Sequence, residues 1–528
     1  MVEHYGFLSV LPPLIAIFLA IITKEVLVSL TAGIFVGTLI LSNGNLFQAF
    51  ISAFDIAFEK VGDASWNART LLYVFFLGGV LGLATRSGGA KAFADFIANK
   101  IKSRKSAQTM TLAAGLFIFF DDYFNCLTVG SVLKPVTDKF RVSREKLSFI
   151  TDATAAPVCI LAPISTWVAY IIGLLSEQFQ NLKLNNNAFV EFVKTIPVNF
   201  YSWLMLLMIV VIIFTKLEYG PMAKAEIRTI KTGKLYNPDR LPPPGLDTGE
   251  KKVSEKGKGI DMIFPIAALI IIVFLFMLYT GGYFEGGKSV GAALQSSDSV
   301  TALVYGSFLT LAVTVLFYKI RGVLNILEAM DAVVEGMKSM MVGNTILVLA
   351  WIIGGVTSKL GTGAYVSEVV KASMPLWLIP FSVFIVSCIM AFATGTSWGT
   401  FAVMVPLVVP VAVSTNISLT MVLAALFSGA IFGDHCSPLS DTTILSSTGA
   451  GCPHIDHVNT QLPYALTAAS CAGLGFLLFG ITKNPVISFI AALAAMVILM
   501  FVMGKVNAKQ IEEIEKYILE MEAGKINE

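Results

Sequence analysis

Apolar residues fall along this chain in runs of bilayer-spanning length, about 20 residues each. Such runs lie near 6–23, 26–43, 70–86, 145–176, 199–215 and 261–280, and again near 299–318, 342–359, 377–393, 417–432, 460–481 and 485–504. The pattern predicts an all-α polytopic membrane protein. Its organisation is set by the places where polar residues interrupt the runs, above all in Ala430-Ile-Phe-Gly-Asp-His-Cys-Ser-Pro-Leu-Ser-Asp-Thr-Thr-Ile-Leu-Ser-Ser-Thr448. A carboxylate in a lipid-embedded segment costs about 2.5–3.5 kcal/mol even on the lenient insertion scale. Asp434 and Asp441, accompanied by His435 and the helix breakers Gly433 and Pro438, therefore point to an interrupted membrane helix that lines an ion or substrate site. The alternative is a polar loop between two spans.

A second interruption lies in the first half. Lys100, Lys102, Arg104 and Lys105 precede an apolar run, Asp121-Asp122-Tyr-Phe-Asn125 follows it, and a second apolar run ends at Lys139, Arg141, Arg144 and Lys146. Residues 106–138 are too few for two crossings of about 20 residues each. Positive charge on both flanks places both ends on the cytoplasmic side. A re-entrant hairpin over 106–138 satisfies both conditions, with its tip covered by protein or water at membrane depth; a long amphipathic surface helix is the alternative. The following run, 145–176, is broken by Asp152, Pro157, Pro163 and the Ser165–Thr166 pair. Prolines free backbone carbonyls one turn upstream, and freed carbonyls are ligands for a hard cation.

The second half repeats this plan. A hairpin over 377–413 carries Thr394, Thr396, Ser397 and Thr400 at its tip, and a broken helix over 417–448 follows, in which Pro438-Leu-Ser440 echoes Pro163-Ile-Ser165. The far flank of this hairpin, 411–422, has no charge. Matching hairpins with opposite charge dressing predict two inverted repeats, each with a re-entrant hairpin and a broken helix. The expected domains are a first membrane half (1–215), a solvated basic cytoplasmic linker (216–260, containing Pro242–Pro244), a second membrane half (261–504) and a cytoplasmic tail (505–528).

Composition changes this picture little. The 528 residues are 55% hydrophobic and only 14% charged, against about 25% charged in soluble proteins. A net charge of +2 gives no case for nucleic acid. Six cysteines, without framework spacing, read as buried thiols. The first apolar run follows Glu3, without a basic n-region or a cleavage site, and reads as a first membrane helix.

Aspartates, hydroxyls, Asn125 and freed carbonyls are oxygen ligands suited to Na+ or another hard cation. Adjacent Asp121 and Asp122 resist ionising together in a poorly solvated site, which supplies a group that exchanges a proton for Na+. Asp152, Asp434 and Asp441 are further candidates for that role, and His435 is either a proton shuttle or a structural partner. Thr166, Trp167, Ser397 and Trp398, with Ser165, Thr394, Thr396, His435 and Thr442, are candidate substrate-lining residues. No Arg or Lys falls within the four motif segments, which disfavours a polyanionic substrate. The run Cys452-Pro-His454-Ile-Asp456-His457 has metal-ligand residue types without a zinc spacing and reads as a polar loop cap.

Phe120-Asp-Asp-Tyr-Phe-Asn125, Ser143-Arg-Glu-Lys-Leu147, Asp152-Ala-Thr-Ala-Ala-Pro157 and Gly433-Asp-His-Cys-Ser-Pro-Leu-Ser-Asp-Thr-Thr443 together resemble the NhaC-type Na+/H+ antiporter family of the ion transporter superfamily. The resemblance covers nearly the whole membrane part. It implies an elevator-type carrier in a bacterial cell (inner) membrane: a homodimeric scaffold and a mobile domain that holds two hairpins and two broken helices. It implies a cation and proton site at Asp121, Asp122, Asn125, Asp152, Thr154, Asp434, Ser437 and Asp441. No cofactor is expected, Na+ being cargo or coupling ion. Family members resembling malate–lactate exchangers and amino-acid carriers leave a second reading open, a Na+- or H+-coupled carrier of a small organic acid or amino acid. An intramembrane aspartyl protease and a passive channel fit less well, because carboxylates occur in duplicate halves among hydroxyl-rich broken helices.

Overall fold

The computed structural model describes residues 4–23, 26–63, 67–89, 92, 101–215, 217–237, 253–506, 512 and 516. All secondary structure among them is helical. Among the described residues nine helices are long and apolar enough to cross a membrane, and a tenth crossing arises if one bent pair counts as a single span. The chain is thus a multi-pass membrane protein.

The first half runs through α1 (Leu11–Thr23), α2 (Val26–Leu41), α3 (Leu46–Val61), α4 (Asn67–Arg86), α5 (Arg104–Phe117), α6 (Asp122–Lys139), α7 (Arg144–Ala153), the single turn α8 (Ala156–Cys159), α9 (Thr166–Asn181), α10 (Ala188–Thr195) and α11 (Phe200–Thr215). After α12 (Gly220–Thr232), the second half runs through α13 (Gly259–Thr280), α14 (Val290–Gln295), α15 (Ser299–Ile320), α16 (Ile326–Ser339), α17 (Met341–Lys359), α18 (Thr362–Ser373), α19 (Ile379–Thr394), α20 (Ser397–Thr415), α21 (Leu419–Cys436), α22 (Asp441–Ala450), α23 (His454–Thr482) and α24 (Pro485–Val506). A hairpin followed by a broken helix recurs in the same order in each half. Of α21, 83% of the apolar window is buried, against 22% for α24. A helix apolar on all sides belongs in the protein centre when it is buried and against lipid when it is not, so α21 is the axis of the core and α24 lies at its margin.

The pair α5–α6 breaks over residues 118–121 and the pair α19–α20 over residues 395–396. Asp121 ends the first break by capping α6, its carboxylate accepting from the Phe124 amide at 2.8 Å. The two arms return to one place, since Arg104 at the start of α5 donates to the carbonyls of Phe140 and Arg141 just past the end of α6. In the second hairpin, Gly395 turns the chain with φ 69°, and Leu439 backbone atoms lie 2.7 Å from where a Cβ would stand. Its arms each pass as full spans, Leu376–Thr394 and Ser397–Thr415. They part around an open apolar cavity of about 290 Å³ lined by Val383, Val386, Met404 and Val408 and by Pro13 and Leu14 of α1.

The run 145–176 is not one span. It divides into α7, α8 and α9, with Pro157 in the first turn of α8 and Ser165 capping α9. Ser440 caps α22 in the same way, so the two serines of the Pro-x-Ser echo do the same work.

The expected solvated linker needs correction over its first third. Residues 220–232 form α12, docked on α7 and α23. Its one acid faces inward: Glu226 pairs with Arg104 and accepts from the Ser143 amide at 3.0 Å. Arg228 reaches both oxygens of Glu145 at 2.8 and 2.9 Å. Just ahead of the helix, Glu218 pairs with fully buried Lys146 at 2.6 Å and accepts from Tyr464 at 2.7 Å. A run rich in basic residues resembles solvated chain, but here its few acids are taken up by buried cations. Residues 238–252, including Pro242–Pro244, and most of the tail expected over 505–528 lie outside the described residues. Also unforeseen was α3, bent 117° from α2.

Candidate functional site

Four half-helices begin at one place: α6 at Asp122, α9 at Thr166, α20 at Ser397 and α22 at Asp441. Side chains join them. Thr166 donates to Asp121 at 3.2 Å, Tyr123 donates to Asp441 at 2.9 Å, and the Trp167 and Trp398 rings meet edge to face at 6.5 Å. Helix N-termini carry partial positive charge, so their convergence favours anionic groups at the centre. The sequence supplies them as Asp121 and Asp122, 5% and 4% exposed, and Asp434, 5% exposed.

Asp434 lies in the last turn of α21, where the chain leaves the helix at Pro438. One carboxylate oxygen accepts from the Ser397 amide at 2.9 Å and hydroxyl at 2.7 Å, and the other accepts from the Ser440 hydroxyl at 2.6 Å. Asn125 staples the first hairpin, its side-chain amide donating to the carbonyls of Gly115, Ile118 and Thr154 at 2.8–3.0 Å. These are end-of-helix carbonyls of α5 and α7 that need a donor. The Asn125 side-chain oxygen itself is buried without a partner.

Asp152, in the last turn of α7, forms a second group. Gln461 donates to it at 2.7 Å and to the His435 carbonyl, His457 Nε2 lies 3.2 Å away, Thr443 donates at 3.4 Å and His435 Nε2 stands at 3.9 Å. His435 Nδ1 meets the Tyr201 hydroxyl at 2.7 Å. The second oxygen of Asp152 is buried and unpartnered. Among the described residues no Lys or Arg lies within ion-pair distance of Asp121, Asp122, Asp152 or Asp434; histidines are the sole basic partners, at Asp152.

The remaining candidates divide. Thr154 bonds the Ile150 carbonyl at 2.8 Å and offers the site its own carbonyl rather than its hydroxyl. Ser437 accepts from the Leu439 amide at 3.2 Å, Thr394 returns to the Met390 carbonyl at 2.9 Å, Thr396 caps α20, and Ser165 caps α9. All four shape the breaks. Thr442 joins the Ser440 hydroxyl at 2.9 Å, behind Asp434. Trp398 is half-buried and packs on Tyr170, whose hydroxyl donates to the Trp398 carbonyl at 2.8 Å. Trp167 is buried, with its indole N–H directed at the Asp122 carboxylate. Asp441 is exposed, at the rim.

Sequence reasoning missed Ser440, Gln461, His457 and Tyr201. The Cys452–His457 run is not a cap of one loop: it enters α23, with His457 and Gln461 one turn apart on the face toward Asp152, while His454 contacts the Pro438 carbonyl at 2.8 Å. That i, i+4 spacing was the available signal.

The Na+/H+ antiporter family model matches residues 158–481. An uncharacterized protein of Haemophilus influenzae is 36% identical over 94% of this chain and 95% of its own length. The malate-2H(+)/Na(+)-lactate antiporter of Bacillus subtilis is 33% identical over 29% of this chain and 34% of its own length. In three dimensions the chain resembles the crystal structure of the Alcanivorax borkumensis YdaH transporter, with a TM-score of 0.52 at 14% identity, covering 84% of this chain and 90% of that one. The family and its named relatives are transporters rather than enzymes.

Proposed function

We propose that this chain, which belongs to the Na+/H+ antiporter family, is a secondary transporter that exchanges Na+ for H+ by alternating access. The observation that carries this reading is the set of buried carboxylates Asp121, Asp122 and Asp434, of which Asp121 and Asp434 accept from hydroxyls and backbone amides, with no Lys or Arg at ion-pair distance among the described residues. A buried carboxylate that is ionised and unpaired is strongly disfavoured. Such a group binds a cation or takes a proton, and competition between the two at one place is what an antiporter requires. Na+ is the fitting cation because the available donors are oxygens: the carboxylates, the Asn125 side-chain oxygen and the carbonyls at the helix breaks. A carrier that crosses when loaded with either ion, and not when empty and charged, then couples the two gradients.

The recurring hairpin and broken helix in each half support an inverted-repeat, elevator-type carrier; that it functions as a homodimer in a bacterial cell membrane is carried by the family resemblance alone. Proteoliposomes loaded with a pH dye test the exchange: a Na+ gradient applied without organic solute acidifies or alkalinises the lumen, and Asp434→Asn abolishes the change. No pH change from folded protein rejects Na+/H+ exchange.

A second reading has its own observation. Four helix N-termini and the Trp398–Tyr170 wall suit the carboxylate of a small organic acid or amino acid, cargo of the kind named for the malate and lactate antiporter of Bacillus subtilis. Solute-dependent uptake in the same vesicles distinguishes it.

A further inference from the structure

The geometry of α3 points to a second contact with the membrane, separate from the spans: we infer that this helix lies along the bilayer surface with a row of phenylalanines set into the headgroup–acyl boundary. Phe47, Phe50, Phe54 and Phe58 are 74, 56, 49 and 72% exposed. Their spacing of three, four and four residues puts them on one face of the helix. Four bare aromatic rings in line are not what a water-facing helix presents. Gln48, Asp55 and Glu59 flank the row as an exposed polar margin, and Ala49 and Ile56 are buried on the opposite face.

Two observations fix the level and direction of the helix. It is bent 117° from α2, which precedes it, so it runs across the direction of that helix rather than along it. Its last turn meets the C-terminal ends of two other helices, the half-helix α9 and α17. Lys60 pairs with Glu177 at 2.7 Å and bonds Asn181, the final residue of α9, at 3.2 Å; Glu59 pairs with Lys359, the final residue of α17, at 3.3 Å. A half-helix that starts at the central site and an apolar helix beside it both end where the apolar layer ends, which sets α3 at that boundary. The preceding helix α2 also carries exposed apolar side chains, Val28 and Phe35, on the chain side of the Asn43–Asn45 turn that leads into the phenylalanine row.

The occupant is therefore phospholipid at the depth of the upper acyl chain. An amphipathic helix of this kind buries its apolar face about 5–10 Å into the boundary. Its inner face packs on α17, where Ile56 and Lys60 lie against Gly355, and Lys60 reaches the C-terminal end of α9.

Spin labels test this in the full-length protein. The native cysteines are all buried, so a label reports on the thiol introduced by Phe50→Cys, Phe54→Cys or Phe58→Cys, each made alone. In vesicles of phosphatidylcholine and phosphatidylglycerol, the three labels collide with oxygen in preference to a water-soluble nickel chelate, at a depth of about 5–10 Å below the phosphates. Labels at Gln48→Cys and Asp55→Cys collide with nickel. Nickel access at all five positions overturns the inference, as does a depth at the bilayer centre. Dipolar broadening between labels on two copies also overturns it, since the row would then be a protein interface. Should one variant not fold, the other two give the same reading.

Discussion

The two hairpins share a plan and differ in chemistry. At the first, the tip contributes the acid and the following broken helix the hydroxyl, Asp121 accepting from Thr166. At the second the roles are exchanged: the tip contributes the hydroxyl and the broken helix the acid, Ser397 donating to Asp434. Their bases differ as well. The first is clasped by Arg104, Glu226 and the carbonyls of Phe140 and Arg141, whereas the second is uncharged and opens around an apolar cavity. One plan with exchanged parts concentrates carboxylates from both halves at a single centre without placing two acid-bearing tips against each other.

The largest effect should come from breaking the clasp. Glu226→Ala leaves Arg104 buried without its partner, and removing one member of a buried ion pair costs about 3–5 kcal/mol. Thermal unfolding in detergent should fall by many degrees, and Arg104→Met with Glu226→Met should recover most of the loss. An unchanged midpoint in the single variant would mean that the first hairpin needs its base no more than the second does.

Next comes the exchanged acid. Asp434→Asn keeps the shape and removes the charge, and transport should fall at least about 100-fold, the equivalent of about 3 kcal/mol. Vesicle exchange with folded variant protein measures it. Retention of half the rate would show that the first-half acids suffice alone.

Gln461→Leu should act less strongly. It strips Asp152 and the His435 carbonyl of one shared donor, leaving buried acceptors short at a cost of about 1–3 kcal/mol. Transport should drop about tenfold, while Gln461→Asn retains an amide and part of the rate. Equal rates in both variants would mean that the amide contributes nothing beyond packing.

How far the sequence reveals this arrangement depends on the kind of signal. Breaks announce themselves, because Asp121, Pro157, Pro163 and Pro438 are conspicuous inside apolar runs, and the Pro-x-Ser echo marks two half-helix starts correctly. What holds the acids is harder to see. Gln461 and His457 sit at the head of an apolar helix and meet Asp152 across roughly three hundred residues, a pairing that no local pattern encodes. The α12 segment misleads for the opposite reason: its positive charges are conspicuous, but Glu226, which docks it, is a single acid among them. Burial separates candidates that look alike in sequence, and Asp441 is the clearest case.

Asp441 and Asp122 occupy equivalent places, each the first residue of a half-helix that follows a break. Both gain from the partial positive charge of a helix N-terminus, worth about 0.3–1 kcal/mol at a surface. Asp122 is 4% exposed beside Asp121, whereas Asp441 is exposed at the rim and takes one hydrogen bond from Tyr123. Water solvates the Asp441 carboxylate whether or not a cation is near, so removing its charge changes the site little. Asp441→Asn should therefore keep the exchange rate within about threefold and lower stability by less than about 1 kcal/mol, while Asp122→Asn should behave like Asp434→Asn. A side-by-side titration of Na+ in the two variants decides between them. Equal losses would mean that the rim acid enters the binding step, and that the four converging N-termini, rather than burial, choose which carboxylates do the work.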